Sequence, residues 1–380
     1  MKKLTFELEF ITPAFIGGAN QQAELRPTSF VGLLRWWWRA LKGECDIERL
    51  REEEIKIFGG DGKMASPVYL RVEGDVSKDK GLIKKYGLDL IFDEKKRAFF
   101  GSHIGVGYLY YFMVPKKKRN GQEEERREFI EPGSRLKLTL IGKDEVLDHY
   151  IASLWALVFL GGVGARSRRG GGNLAVADYE PKDLVEDLKI SFTPTDDFHG
   201  WLKENLKRAK ELVGPPKTPC GKYGEYSTIP DPRNIDFNSV LILSQKEFNN
   251  WIEALNDIGN EFMKFRKIKN ERKDEQNKRN EEWVLNIAVF GLPLRYGKGE
   301  AVKVENTKEV ITRRSSPVII KVIKTPNGKY KWMALQLWGK FLPDGAKLRF
   351  RGYTKLPSFN LIEKFFQKFG GEVKEEGKNE

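Results

Sequence analysis

Fourteen residues, Leu160-Gly161-Gly162-Val163-Gly164-Ala165-Arg166-Ser167-Arg168-Arg169-Gly170-Gly171-Gly172-Asn173, contain six glycines and three arginines. Glycine costs a helix interior about 1 kcal/mol relative to alanine and weakens a strand as well, so this stretch is a loop. Its flanks fix where the loop stands. Asp144 to Leu160 is strongly apolar and of helix length, with Tyr150, Leu154, Leu157, Val158 and Leu160 on one wide face, and Leu174 to Tyr179 reads as a strand. Any fold of this chain must pass from a buried helix to a strand through Gly162, Gly164, Gly170 and Gly171, carrying Arg166, Arg168 and Arg169. Without Cβ atoms the backbone can approach a ligand closely, and guanidinium forks match phosphate geometry, so an anion-binding loop with phosphate as its partner is expected. A basic surface linker is the plainer alternative. The loop lacks the Gly-Lys-Ser/Thr ending of a P-loop, and its glycine spacing does not complete the dinucleotide fingerprint.

Leu4, Phe6, Leu8 and Phe10 alternate with polar residues, the pattern of a half-buried strand. The segment 11–20 is a loop, and Arg26-Pro27-Thr28-Ser29 supplies a helix start with Thr28 or Ser29 as N-cap. In the helix from Phe30 to Lys42, at roughly 100° per residue, Phe30, Val31, Leu34, Trp37, Trp38 and Leu41 share a face. Arg35, Trp36 and Arg39 share the other. An aromatic between arginines is a stacking platform for a base, an anchor in a protein interface, or a residue that a later segment covers. Val68 to Val72 and Arg135 to Ile141 read as strands, and the charged run 116–121 as a solvated loop. The order is strand, helix, strand, strand, helix, glycine-arginine loop, strand. This is the β-α-β-β-α-β, ferredoxin-like plan with an insertion between the middle strands.

A boundary falls near Tyr179-Glu180-Pro181-Lys182, which divides the chain into 1–182 and 183–380. Beyond it, Lys189 to Thr193 is a strand candidate, Asp196 or Asp197 caps a helix running to Leu212, and 214–232 is a long loop rich in proline and glycine. Val240 to Leu243 reads as a strand, Gln245 to Asn280 as a long helical stretch and Val284 to Phe290 as a buried strand. Val318 to Ile323 and Trp332 to Trp338 are strands, Leu361 to Phe369 is an amphipathic helix, and the last ten residues are charged and frayed. A second α+β unit is expected.

The formal net charge of +13 and a pI near 9.4 favour nucleic acid or an anionic membrane as partner. No apolar run reaches membrane-spanning length, and Met1-Lys2-Lys3 leads into a strand where a signal peptide would have its hydrophobic core. A cytoplasmic protein with no membrane contact is expected. Cys45 and Cys220 are the only cysteines and stand far apart, against a disulfide framework or zinc ribbon. His103, His149 and His199 have no metal-ligand spacing, so neither metal nor cofactor is expected.

Three motifs together suggest a family. They are Thr12-Pro13-Ala14-Phe15-Ile16-Gly17-Gly18, then Arg26-Pro27-Thr28-Ser29-Phe30 with Gly32-Leu33-Leu34-Arg35-Trp36-Trp37-Trp38-Arg39-Ala40, then Gly162-Val163-Gly164-Ala165-Arg166-Ser167-Arg168-Arg169-Gly170. The combination resembles the first RAMP-superfamily subunit of the Cmr (type III-B CRISPR-Cas) effector complexes, and Arg313-Arg314-Ser315-Ser316-Pro317 resembles a segment of that subunit's second half. The resemblance implies an α+β protein of two tandem ferredoxin-like, RRM-like domains, with the glycine-rich loop between the second helix and last strand of the first. It further implies assembly with other Cmr subunits near the 3′ end of the CRISPR guide RNA, where the subunit helps hold guide and single-stranded target RNA. Target cutting would belong to another subunit.

A metal-independent endoribonuclease is the competing expectation. It needs a general base and an acid, and His103, between Ser102 and Ile104, could serve in a loop. No acidic pair stands out for two-metal chemistry. The binding reading uses more of the chain: Arg166, Arg168 and Arg169 with the glycine amides of the loop, Arg26 beside a helix N-terminus, Arg35, Arg39, Arg313 and Arg314 on phosphates, and Trp36 on a base.

Overall fold

A computed structural model describes the chain apart from residues 19, 21, 61, 63, 94–97, 112, 114–126, 268–275, 297–299 and 371–380. The basic run 116–121 and the last ten residues therefore lie outside the described residues, as does part of the long helical stretch expected up to Asn280.

The protein is a mixed α/β molecule with antiparallel sheets. Strands β1 (Lys2–Phe10), β2 (Tyr69–Glu73), β3 (Arg135–Gly142) and β4 (Leu174–Glu180) form one sheet in the order β2-β3-β1-β4, every neighbouring pair antiparallel. β1 lies at the centre because Leu4, Phe6, Leu8 and Phe10 are all fully buried. Helix α1 (Pro27–Lys42) connects β1 towards β2, followed by α2 (Ile47–Phe58). In α1, Phe30, Leu34, Trp37, Trp38 and Leu41 are buried, as the angular reading requires. The helix starts earlier than expected, with Arg26 as N-cap and Pro27 as first helical residue, so Thr28 and Ser29 lie inside it and cap nothing. Proline suits that place because its φ is already helical and its missing N–H would have had no partner.

The insertion between β2 and β3 leaves this sheet altogether. Its helix α3 (Ile104–Leu109) packs against α6 (Trp251–Arg266) of the second half. Gly105 makes the approach possible, because a Cβ there would lie 2.1 Å from the Asn256 carbonyl oxygen. The Asn256 side chain ties the two together, accepting from Gly105 N–H at 2.9 Å and donating to Ser102 O at 2.9 Å. Val106, Leu109, Tyr110 and Phe129 consequently share a core with Leu255, Ile258 and Phe262. Traffic also runs the other way. α5 (Phe198–Leu212) packs on α4 (Asp144–Leu160), with Leu202, Leu206 and Ala209 in the core under the first sheet. The hydrophobic cores therefore interleave across Lys182.

The second half is built on β5 (Leu241–Leu243), β6 (Val318–Lys324) and β7 (Tyr330–Gln336), antiparallel in the order β6-β7-β5. Three expectations are corrected here. Lys189 to Thr193 is no strand: the Ser191 N–H goes to Asn205 Oδ1 (2.6 Å) and its carbonyl accepts from Trp155 Nε1 (3.1 Å), so side chains hold the groups a ladder would use. Val284 to Phe290 is helical, the end of α7 (Gln276–Ile287) followed by a 3-10 turn at Ala288–Phe290. A continuous apolar run carries no period and fits a buried helix as well as a strand. The long helical stretch from Gln245 is likewise interrupted, since α6 begins only at Trp251, where Asn250 Oδ1 accepts from Glu253 N–H. The C-terminal amphipathic helix is α8 (Asn360–Gly370), with Ile362, Phe365 and Phe366 buried. Among the described residues no helix is long and apolar enough to cross a membrane.

Candidate nucleic-acid interface

The glycine-arginine loop leaves α4 at Gly161 and is wedged between the two halves. Six of its backbone N–H groups are spent within the protein: Val163 N–H on Gly172 O, Ala165 on Phe15 O, Arg169 and Gly171 on Arg166 O, Gly172 on Pro13 O, and Asn173 on Thr12 Oγ1. Gly162, Gly170 and Gly171 are buried. Gly170 takes a φ of +80°, and a Cβ there would meet Leu255 of α6 at 2.4 Å, so this glycine admits the second half rather than a ligand. Tyr110 Oη donates to the Gly170 carbonyl at 2.8 Å.

Arg169 continues the same theme. Part of the residue stays accessible, but its donors turn inward: Nη1 to Val318 O (2.9 Å) and Arg168 O (3.0 Å), Nη2 to Phe290 O (2.8 Å), with the guanidinium 5.0 Å from the Phe262 ring centre. Burial lowers its pKa to about 9. The expected phosphate contact by Arg169 is thus replaced by a contact that fastens the loop to α6, β6 and the turn at Phe290. Beside it, Asn173 donates to Gly161 O and accepts from Val322 N–H, while the buried Lys321 ammonium also donates to Gly161 O, at 2.9 Å. Nothing of this network faces outward.

The outer side of the loop is different. Gly164 is exposed, and Arg166 (φ +63°), Ser167 and Arg168 are half-buried. Arg168 donates to Ser316 O and lies 5.2 Å from the ring centre of Trp36. Loop and helix α1 are thereby brought together, as the spacing of their motifs did not show. Trp36 stands edge-on against the buried Trp37, 4.8 Å between ring centres, and keeps part of its surface.

A groove of 520 Å³ opens there, lined by Arg35, Trp36, Arg39, Ile47, Arg51 and Tyr226, with Leu50, Glu54, Ile55, Gly60 and Ser227. Arg35 and Arg39 are held along its wall by one carboxylate, Glu54 of α2, at 2.9 and 3.2 Å, and Arg35 also donates to Gly59 O. Tyr226 comes from the 214–232 loop, its hydroxyl donating to Glu44 O at 2.8 Å. Tyr226, Arg51 and Glu54 were not singled out in the sequence. The acidic run Glu52-Glu53-Glu54, on the helix that follows the arginines of α1, is the only sequence signal for the last.

The remaining candidates are dispersed. Arg26 is exposed, paired with Glu24 at 2.6 Å, and ten residues before Trp36, about 15 Å along the helix axis. Arg314 is half-buried and donates to Lys340 O at 2.6 Å, and its charge joins burial in lowering the pKa of Arg168 to about 10. Arg313 beside it is exposed and makes no ion pair among the described residues. His103 Nδ1 accepts from Asp89 N–H at 3.0 Å and lies 3.2 Å from Ser102 Oγ, an arrangement that orders the turn before α3. Among the described residues no three His, Cys, Asp or Glu side chains cluster as metal ligands.

A family model of the RAMP superfamily matches residues 7–175, the span of the first sheet up to the start of β4. The Cmr subunit Cmr1-2 of Pyrococcus furiosus is 35% identical over 186 residues, 46% of this chain and 96% of that protein. The chain belongs to the Cmr1 family. A longer member, Cmr1-1 of Pyrococcus furiosus, is 28% identical over 365 residues, 93% of each chain. The fold agrees with that of the Cmr1 crystal structure from Pyrococcus furiosus in the apo form, with a TM-score of 0.59 at 23% identity over 97% of this chain and 96% of that one. It also resembles a chain in the cryo-EM structure of type III-B Cmr-beta bound to cognate target RNA, with a TM-score of 0.53 at 14% identity over 97% and 98%. The Cmr1 family membership rests on the sequence relatives, and these two likenesses add the fold.

Proposed function

We propose that this protein is a noncatalytic RNA-binding subunit of a type III-B CRISPR effector complex. It would hold guide RNA and single-stranded target near the 3′ end of the guide, in contact with other Cmr subunits. The observation that carries this reading is the groove on α1, where the partly exposed Trp36 lies between Arg35 and Arg39 and beneath Arg168, with Tyr226 opposite. Stacking on an aromatic plus cationic contacts to the backbone binds single strands with little sequence preference. Such binding suits a system in which specificity is delegated to base pairing between guide and target. Arg168 adds its charge over Trp36, and the exposed Arg26 and Arg313 with the half-buried Arg166 supply positive charge elsewhere on the surface. The work of such a complex is cytoplasmic, with no membrane contact.

The fold fits this proposal. β1 to β4 with α1 and α4 follow the order of a ferredoxin-like unit, and β5, β6 and β7 keep the order of that unit's first three strands. Two tandem ferredoxin-like domains, 1–182 and 183–380, tied by the glycine-arginine loop, is our reading of the whole. A nuclease reading would have to use His103 Nε2, since Nδ1 accepts from the Asp89 N–H.

The test incubates purified protein with end-labelled single-stranded RNA across a salt series and resolves bound, free and cleaved RNA. Salt-sensitive binding of intact RNA is expected. Cleavage that disappears in His103→Ala, or no binding at low salt either alone or in the assembled complex, would overturn the proposal.

A further inference from the structure

Cys45 and Cys220 are separated by 175 residues in sequence, yet their Sγ atoms lie 2.7 Å apart. Their separation in the sequence argued against a disulfide framework, and the fold nonetheless brings the two side chains together. The meeting is built by the backbone: Glu44 and Pro219 form an antiparallel bridge, Cys45 N–H donates to Thr218 O at 2.7 Å, and Cys220 N–H donates to Gly43 O at 2.9 Å. The buried Glu44 carboxylate clamps the same two segments by accepting from Asp46, Lys217 and Thr218 N–H groups. Two chain segments so fixed hold their cysteines side by side whatever the solvent does. Both residues are only half-buried, so a small oxidant can reach them.

We propose that Cys45 and Cys220 are a disulfide-forming pair that fastens the 214–232 loop, with the Tyr226 wall of the groove, to the junction of α1 and α2. The oxidant is a disulfide of the glutathione or thiol-oxidoreductase class. Cys45 thiolate attacks one sulfur of that disulfide, whose S–S bond breaks and releases the first thiol. Cys220 then attacks Cys45 Sγ, forming the internal bond and releasing the second thiol. Two protein thiols lose two electrons and two protons, and the donor disulfide gains both pairs as two thiols. A bond length near 2.05 Å requires the sulfurs to move by less than about 1 Å. In the reduced state burial and the hydrogen bond with Cys45 push the Cys220 thiol up to about 12. Oxidation also adds a covalent tie to the Tyr226–Glu44 contact and the backbone bonds that already hold this wall. The inference stands whether or not RNA fills the groove.

The test equilibrates the full-length protein in glutathione buffers of increasing oxidised fraction. Thiols are counted in denaturant, and protease digests are analysed with and without reductant. Expected are a fall from two thiols to none, a monomer on non-reducing gels, and a linked peptide pair containing Cys45 and Cys220 that reduction separates. The oxidised protein should melt about 5 °C above the reduced form, since the bond closes a loop of some 175 residues. Trypsin should also cut several-fold more slowly after Lys217 and Lys222, and neither effect should appear in Cys45→Ser or Cys220→Ser. Two thiols persisting in the most oxidising buffer, glutathione adducts on each cysteine without the internal bond, or links only between chains would each overturn it.

Discussion

Replacing Arg169 with alanine separates a structural arginine from a phosphate-binding one. The substitution removes Nη1 from Val318 O and Arg168 O and Nη2 from Phe290 O, and takes the guanidinium off Phe262. Two carbonyls distant in sequence, those of Phe290 and Val318, lose a charged donor, at about 1–3 kcal/mol each when left unpaired. Relief of the buried charge returns part of this, so the net loss should be about 2–4 kcal/mol. For 380 residues an unfolding entropy of about 2.1 cal/mol/K per residue gives roughly 0.8 kcal/mol/K, hence a melting temperature lower by about 3–5 °C. The assay pairs a thermal melt with RNA binding across salt, both on Arg169→Ala and wild type, with binding measured well below either melt. Folded Arg169→Ala should bind RNA with wild-type affinity and an unchanged salt slope. A wild-type melt combined with a slope reduced by about 0.7, the value of one phosphate contact on a single strand, would refute the reasoning.

Trp36→Ala should weaken RNA binding roughly 5- to 150-fold, about 1–3 kcal/mol, with the salt slope intact; unchanged affinity with failed assembly would make Trp36 a subunit contact instead. Arg26→Ala combined with Arg313→Ala should lower the salt slope by about 1.4 with no change in melting, and an unchanged slope would remove both from the RNA path. Lys321 is held near a pKa of about 7 by burial, against 10.5 in the unfolded chain. Below pH 7 both states carry its proton, whereas from about pH 7 to 10 the unfolded state binds more, so stability should rise with pH across that window. Lys321→Met should flatten this rise and leave Gly161 O still paired with Asn173, which denaturant titrations at pH 7 and 9 would check.

Elements governed by their own neighbours in sequence were legible. The alternation in β1 put Leu4, Phe6, Leu8 and Phe10 inside, and the angular reading of α1 buried Trp37 and Trp38 while leaving Trp36 at the surface. What failed depended on distant partners. Glycines that admit a phosphate and glycines that admit a side chain from the other half look alike in sequence, and only Leu255 and Tyr110 decide the matter at Gly170. Arg169 reads as a surface cation until β6 and Phe290 supply carbonyls for it. Arg35 and Arg39 were placed on the correct face, but Glu54 on the next helix decides how they are held. The cysteine pair was invisible because a separation of 175 residues carries no spacing rule.

The insertion that carries α3 has a consequence for synthesis. A ribosome that has made the first 182 residues has produced every strand of the first sheet, but Val106, Leu109 and Tyr110 still await α6. The last residue of α6, Arg266, follows 84 residues later (266 − 182), roughly 4–17 s at ordinary elongation rates. During that interval these residues have Phe15, Leu82, Leu88 and Phe129 of the first half to pack against but not Leu255, Ile258 and Phe262, so the nascent chain exposes the apolar face that α6 later covers.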